Sequence, residues 1–381
     1  MHCGLKKKRK DLSLFYSEKK CRVAAFFTTN VVKAAPVLLA QETLKKTDCL
    51  RAVLVNSGNA NCMTGKRGME DAEKMAAMAS EALGIPVEEI VVSSTGVIGK
   101  PLDTEPIRKG LPGLVSGLSE EGLMDAAEGI MTTDRFHKIS SGAFNVGAKT
   151  VHMVGVAKGA GMIHPNMATM LCYIMTDAAI SKKALNRAMK EANNISFNSI
   201  SVDGDMSTND TVLILANGAA ANAEITGGKA YKDFANALGG ITTDLAKMIV
   251  RDGEGAKKLI AIKVKGARSK PEAKKAADSV GNSLLTKCAV HGGDPNWGRV
   301  AASVGYSGIK FDPDKLEIAL DGVLFFRKGK FQAPSKKKLA HVFKSDEVKI
   351  EINLHRGDKE AVVYTCDISK KYIAINSYYT T

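Results

Sequence analysis

The stretch Lys158-Gly-Ala-Gly-Met-Ile-His-Pro-Asn-Met-Ala168-Thr169-Met-Leu-Cys-Tyr-Ile-Met-Thr-Asp177 decides how the rest of the chain is read. Two glycines and a proline lead into a small residue, and the threonine after it opens a short apolar run. A hydroxyl beside the carbonyl that precedes it can attack that carbonyl. Hydrolysis of the resulting ester then leaves Thr169 with a free α-amine next to its own hydroxyl. That amine has a reference pKa of about 7.7–8.0, which suits it to take the hydroxyl proton. Ala168 favours such a cut because its small side chain leaves the carbonyl approachable. Taken alone, the pattern is equally that of an ordinary strand start, so self-cleavage at Ala168–Thr169 needs support from elsewhere in the chain.

Bulk properties narrow the field. A chain of 381 residues, 45% of them apolar, can bury a large core in two or three domain-sized units. No run approaches the roughly 18 apolar residues of a membrane-crossing helix. Met1–Lys10 lacks the apolar core and small-residue cleavage site of a secretory signal. The seven cysteines are scattered without a Cys-x-x-Cys pair, which fits reduced thiols in a cytoplasmic protein. The net charge of +14 permits polyanion binding. Yet the lysines are dispersed and no nucleic-acid-binding signature accompanies them, so the run Lys6–Lys10 reads as a solvated terminal face.

Short β-rich runs alternate with amphipathic helices. Strands are expected at 49–56, 90–94, 171–176, 211–216 and 260–264. Helices are expected at 69–83, 120–131, 181–193 (with Ser181 as its cap), 243–250 and 270–285, the last with a break near Gly281. Met69, Ala72, Met75 and Ala76 fall at helical spacing, so the methionines there read as core filling. Beyond Lys310 the pattern predicts β-hairpins over 316–319, 323–326, 348–354 and 361–366. The order is mixed α/β without a clean βαβ repeat, which favours layered sheets covered by helices.

Further blocks stand in a fixed order around Thr169. Val55-Asn-Ser-Gly-Asn-Ala-Asn61, Ser94-Thr-Gly-Val-Ile-Gly99 and Met131-Thr-Thr-Asp134 precede it. Ser201-Val-Asp-Gly-Asp-Met-Ser-Thr-Asn-Asp210, Asp252-Gly-Glu-Gly255, Gly293-Asp-Pro-Asn-Trp-Gly-Arg299 and Ile375-Asn-Ser-Tyr-Tyr-Thr-Thr381 follow it. From about Thr28 to the last residue, this succession resembles the glutamate N-acetyltransferase (ornithine acetyltransferase) family of arginine biosynthesis. The resemblance implies an α/β, four-layer αββα sandwich built jointly by two self-cleavage products, residues 1–168 and 169–381. It implies transfer of an acetyl group from N2-acetyl-L-ornithine to L-glutamate through an acetyl ester on Thr169. No cofactor is needed for that exchange; some members also accept acetyl-CoA, and no CoA motif is legible here. It further implies that the cleaved chains stay together and that two such pairs form a heterotetramer.

By the same resemblance Thr95 and Gly96 supply a hydroxyl and a backbone N–H to the developing oxyanion. Lys158 holds the substrate carboxylate. Thr132 contacts substrate, with Thr133 the competing choice that sequence does not separate. Glu254 binds substrate or handles a proton near the Thr169 amine, and Asn376 and Thr381 close the pocket. At Tyr378 an acidic residue is more usual in the family.

Other patterns lead nowhere. Gly159-x-Gly161 lacks the rest of a phosphate loop. Asp203-x-Asp205-x-Ser207-x-Asn209 has Thr208 and Ile214 where a calcium loop needs glycine and glutamate. The seven histidines show no metal-ligand spacing, so no metal is expected. Cys172, inside an apolar run, reads as a buried inert thiol. The block around Trp297 reads as a rigid turn shaping the cleft. The rival readings are a self-processing aminopeptidase or amidohydrolase, in which water resolves the acyl-enzyme, and a nucleic-acid-binding protein using the basic surface.

Overall fold

A computed structural model describes residues 1–164 and 170–378. Its first sheet contains β1 (Leu12–Phe27), β2 (Cys49–Asn59), β3 (Ile90–Val97), β4 (Lys138–Val146), β5 (Lys149–Lys158), β6 (Leu171–Thr176) and β7 (Thr211–Ala216). Their spatial order is β3-β2-β1-β7-β6-β5-β4. A second sheet contains β8 (Leu259–Ala267), β9 (Glu317–Leu320), β10 (Val323–Arg327), β11 (Lys330–Phe331), β12 (Glu347–Asn353) and β13 (Lys359–Cys366). Its order is β11-β10-β9-β12-β8-β13. Helices α1 (Ala35–Lys46), α2 (Gly65–Leu83), α3 (Glu105–Ser116) and α4 (Leu123–Ile130) come before β4, and α5 (Lys182–Ile195) and α6 (Gly228–Arg251) flank β7. Then follow α7 (Lys270–Gly281), α8 (Leu284–Gly292), α9 (Trp297–Gly305), α10 (Lys336–Leu339) and α11 (Lys370–Tyr378). The expected mixed α/β class with two sheets is what is found.

The central strands are apolar on both faces because both are covered. Cys172, Ile174, Val212 and Ile214 pack with α5 and α6. The alternate residues Leu171, Tyr173, Leu213 and Leu215 pack with Ala127 and Ile130 of α4. Burial of both faces explains why β6 and β7, a parallel pair, read as near-continuous apolar runs. The second sheet is amphipathic instead. Ile260, Ile262 and Val264 are buried with Val280 of α7 and Val300 of α9, while Lys265 between Val264 and the strand end is exposed.

β2 and β3 run parallel across α2, and β6 and β7 run parallel across α5, two separate βαβ units without the repeat of a doubly wound fold. One expectation about pairing needs correction. The segments 348–354 and 361–366 do not form a hairpin, because β8 lies between β12 and β13 and pairs with both. The helix over 270–285 breaks at Gly281 as read, and Ser283 opens the next one by accepting the Thr286 N–H. Ser181 caps α5 as read, accepting from the Ala184 N–H.

The Trp297 block does not shape the cleft. Gly293 ends α8 in the left-handed region at φ 71°, and Asn296 caps α9 through the Arg299 N–H. Trp297 stacks on Phe326 and Phe331, with centroids 5.1 and 5.8 Å away, so its ring belongs to the core of the second sheet. Only a packed aromatic cluster distinguishes that role from a cleft turn, and its partners lie about thirty residues further along the chain.

Candidate active site

Thr95 and Gly96 sit near the end of β3, beside the end of β2. Gly96 has φ +136°, and a Cβ there would lie 2.3 Å from the carbonyl carbon of Gly58. Only glycine allows both the conformation and the approach. Thr95 is buried, and its hydroxyl accepts a hydrogen bond from Lys158 Nζ at 3.1 Å. A hydroxyl that accepts from a lysine keeps its own hydrogen to donate.

Lys158 ends β5 and is itself buried. Burial lowers the pKa of its ammonium, opposed by the carboxylates of Asp134, Asp210 and Glu254. After it the backbone turns through Gly159 at φ +148°, whose N–H donates to Asp134 Oδ1 at 2.7 Å. A Cβ on Gly161 would lie 2.7 Å from the Glu254 carboxylate, and Glu254 N–H donates to the Ala160 carbonyl at 2.8 Å. Gly161 thus makes room for one carboxylate, and the Gly159 N–H bonds another. That is the opposite charge from a phosphate cradle.

One cavity of about 80 Å³ is lined by Thr95, Gly96, Thr132, Thr133, Lys158 and Glu254, with Asn376 at its mouth. Asn376 reaches it from α11, donating from Nδ2 to Glu254 Oε2 at 2.8 Å. The structure therefore brings together six of the residues named from sequence, and both members of the Thr132–Thr133 doublet. Ala168, Thr169 and Thr381 lie outside the described residues. A larger open groove of about 1060 Å³ runs past Phe15, Arg51, His152 and Met175 and contains none of these groups.

Sequence reasoning missed the other wall of the small cavity, Ser207, Thr208 and Asn209. Asn209 Nδ2 donates to the carbonyls of Ala60 and Ser94 at 2.7 and 2.8 Å, tying this wall to β3. Asp210, wholly buried, accepts the Met170 N–H at 2.9 Å, and burial raises its pKa well above the usual carboxylate range. The available signal was a run of five polar residues, Ser207–Thr211, leading into the apolar Val212–Ala216 of β7. Asp203, in the stretch that fails as a calcium loop, accepts the N–H groups of Met162 and Ile163 and the Tyr372 hydroxyl. Cys172 is buried, and burial raises its thiol pKa, which leaves it inert.

The basic run Lys6–Lys10 is not simply a solvated face. Lys6 Nζ donates to the Met131 carbonyl at 2.5 Å, and Arg9 donates to the carbonyl of Asp134 at 3.3 Å. Lys10 pairs with Asp125 and Glu128. Lys6 and Lys10 are half-buried and, with Arg9, bond to α4 and the loop that carries Thr132, while Lys7 and Lys8 stay exposed. No helix among the described residues is long and apolar enough to cross a membrane.

Comparison with known proteins shows the family. The chain is similar to the arginine biosynthesis bifunctional protein ArgJ of Symbiobacterium thermophilum, 49% identical over 374 residues that cover 98% of this chain and 93% of that one. It is 45% identical to a glutamate N-acetyltransferase of Methanocaldococcus jannaschii, over 99% of this chain and 96% of that protein. The crystal structure of arginine biosynthesis bifunctional protein argJ from Bacillus halodurans matches with a TM-score of 0.53 at 38% identity, covering 54% of this chain and 98% of that one. The model of the ArgJ family matches residues 1–381. With that match over its whole length, and relatives this similar over nearly all of it, the chain belongs to the ArgJ family.

Proposed function

We propose that the small cavity moves an acetyl group from N2-acetyl-L-ornithine to L-glutamate, with Thr169 as the nucleophile exposed by self-cleavage after Ala168. The chain is a glutamate N-acetyltransferase, an acyltransferase of arginine biosynthesis. What carries the reading is the convergence of Thr95, Gly96, Lys158 and Glu254 on one cavity, with the Thr169 segment joining Lys158 to β6.

The chemistry balances without an added group. The Thr169 amine takes the hydroxyl proton as the oxygen attacks the acetyl carbonyl. The amide C–N bond then breaks, ornithine leaves with that proton, and an acetyl ester remains on Thr169. Glutamate repeats the attack on the ester, and Thr169 recovers its hydroxyl. The Thr95 hydroxyl and Gly96 N–H meet the negative charge that develops on the carbonyl oxygen in both halves. Lys158 holds the α-carboxylate common to donor and acceptor. Glu254, joined by a hydrogen bond to Asn376, binds substrate or handles a proton near the Thr169 amine, and Asn376 and Thr381 close the pocket. Thr132, whose backbone is fixed by Asp134, is our choice over Thr133 as the substrate contact.

The cut produces chains 1–168 and 169–381, which stay paired, and two pairs make the assembly. The compartment we assign is the cytoplasm, in keeping with seven free cysteines. Intact mass under denaturing conditions is the test. The wild type should give fragments of 168 and 213 residues (381 − 168 = 213) and Thr169→Ala a single chain. Acetylornithine without glutamate should add one acetyl group to the larger fragment. Continuous ornithine release in the absence of glutamate would mark a hydrolase instead. Acetyl-CoA as donor is the second arm of the same assay.

A further inference from the structure

Three charged side chains lie buried beside the cavity without lining it. Lys138, at the start of β4, has no exposed surface. Its Nζ donates to Asp134 Oδ1 at 2.7 Å and to Asp252 Oδ2 at 2.6 Å. Each carboxylate has further backbone duties. Asp134 Oδ1 also accepts the Gly159 N–H at 2.7 Å, and its Oδ2 accepts the Thr132 N–H at 2.9 Å. Asp252 accepts the Arg135 N–H at 3.0 Å and Arg135 Nε at 2.8 Å. Burial alone would raise the Asp134 carboxyl, but Lys138 and Lys158 outweigh it and hold the group ionised below the ordinary carboxylate range.

The segments so joined are informative. Thr132 is bound directly through its N–H. Gly159 directly follows Lys158. Asp252 stands two residues before Glu254. The cluster therefore touches three of the backbone segments that deliver polar groups to the cavity from outside β3, each within two residues of the delivered side chain; the Ser207–Asn209 wall and Asn376 are held separately. A buried ion cluster is a poor way to gain stability, because apolar residues of similar volume usually do as well or better. Fixed distances between separate segments are what such a cluster supplies.

We propose that Asp134, Lys138 and Asp252 act as positioning residues for acetyl transfer, setting the spacing of Thr132, Lys158 and Glu254 around the substrate. The proposal rests on the acetyl-transfer reading given above. No member of the cluster lines the cavity, so each acts through the residue beside it.

The test uses the full-length, self-processed enzyme, with rates normalised to the cleaved fraction seen by intact mass. Asp252→Asn keeps the side-chain volume but puts an amide among the Lys138 and Arg135 donors. The triple replacement Asp134→Asn, Lys138→Met, Asp252→Asn removes the three charges of the cluster together, so that no member is left facing a vanished partner; Lys158 keeps Asp210 and Glu254 nearby, and Arg135 is half-exposed. Both should keep a cooperative thermal transition near that of the parent. Both should lose about 100-fold in kcat/KM for acetylornithine, with KM raised as well as kcat lowered, as a displacement of order 1 Å in the reacting groups would produce. Lys138→Met alone, which strands two carboxylates, should fold worst. Activity within twofold of the parent in either stable variant overturns the proposal, as does a loss that merely tracks the folded fraction. An inactive parent would overturn the acetyl-transfer reading and this proposal with it. An active parent with indifferent variants overturns this proposal alone.

Discussion

Gly96 shows how much one residue can fix. Its backbone occupies a region side chains rarely adopt, and the space a methyl would need is filled by the Gly58 peptide. Gly96→Ala should therefore destabilise by more than the ~1–3 kcal/mol of a strained backbone alone and should abolish transfer. A denaturation midpoint equal to the parent's would contradict this. Lys158 makes a second test at this scale. Its proton must be present to hold a carboxylate, and burial lowers its pKa. The alkaline limb of kcat/KM should then fall below the ordinary lysine range of about 10.4. Lys158→Arg should remove that limb while lowering kcat/KM by about tenfold, since a planar fork replaces a point charge. A pH–rate profile of the two enzymes decides it. These residues were legible because they sit in short blocks whose order is distinctive. Asn209 and Asp210 stand in such a block too, and Lys138 in none, but the roles of all three lie in being turned inward, and residue type alone does not report burial.

Among the elements, the N-terminal arm departs furthest from its reading in the sequence. Burial pushes the Lys6 ammonium down to about 8, with Lys158 and Arg9 adding to the effect and Asp11 opposing it. The folded protein therefore sheds this proton before the unfolded chain does. Between about pH 8 and the unfolded value of about 10.4 the unfolded state binds more protons, so this group makes stability rise with pH. Relative to Lys6→Met, the parent should gain in denaturation midpoint between about pH 7.5 and pH 10. A difference that stays constant or shrinks would refute the assignment. Strand β1 escaped notice because its middle, Ser17-Glu-Lys-Lys20, is charged and marks a shift in its register with β2 between Tyr16 and Cys21. By contrast β6, β7 and the capped start of α5 were read to the residue or nearly so. Their apolar runs and the Ser181 cap are local signals that need no knowledge of partners.

For the whole molecule, the order of strands matters more than their number. β1 to β5 lie before Thr169 and β6 and β7 after it, yet β6 and β7 occupy the middle of the first sheet. They are bonded to β5 on one side and β1 on the other. A chain cut at Ala168–Thr169 should thus run as one species in native size exclusion and separate only in denaturant. Resolution of the two fragments under native conditions would count against the cut as placed. Sequence could not show this interleaving, because strand order depends on long-range pairing that no local pattern encodes.

The seam has a further consequence, for the order in which things happen. Without β6 and β7, the pair β4–β5 has no neighbour in its sheet, and the pair's link to β1–β2–β3 is gone. Scission as proposed would therefore follow closure of the sheet on the still continuous chain. Unfolding after it would release two molecules where there had been one. Refolding then requires an encounter between them, so recovery from denaturation should slow as the protein is diluted. A protein that folds as a monomer would, by its own chemistry, become one that cannot easily fold again.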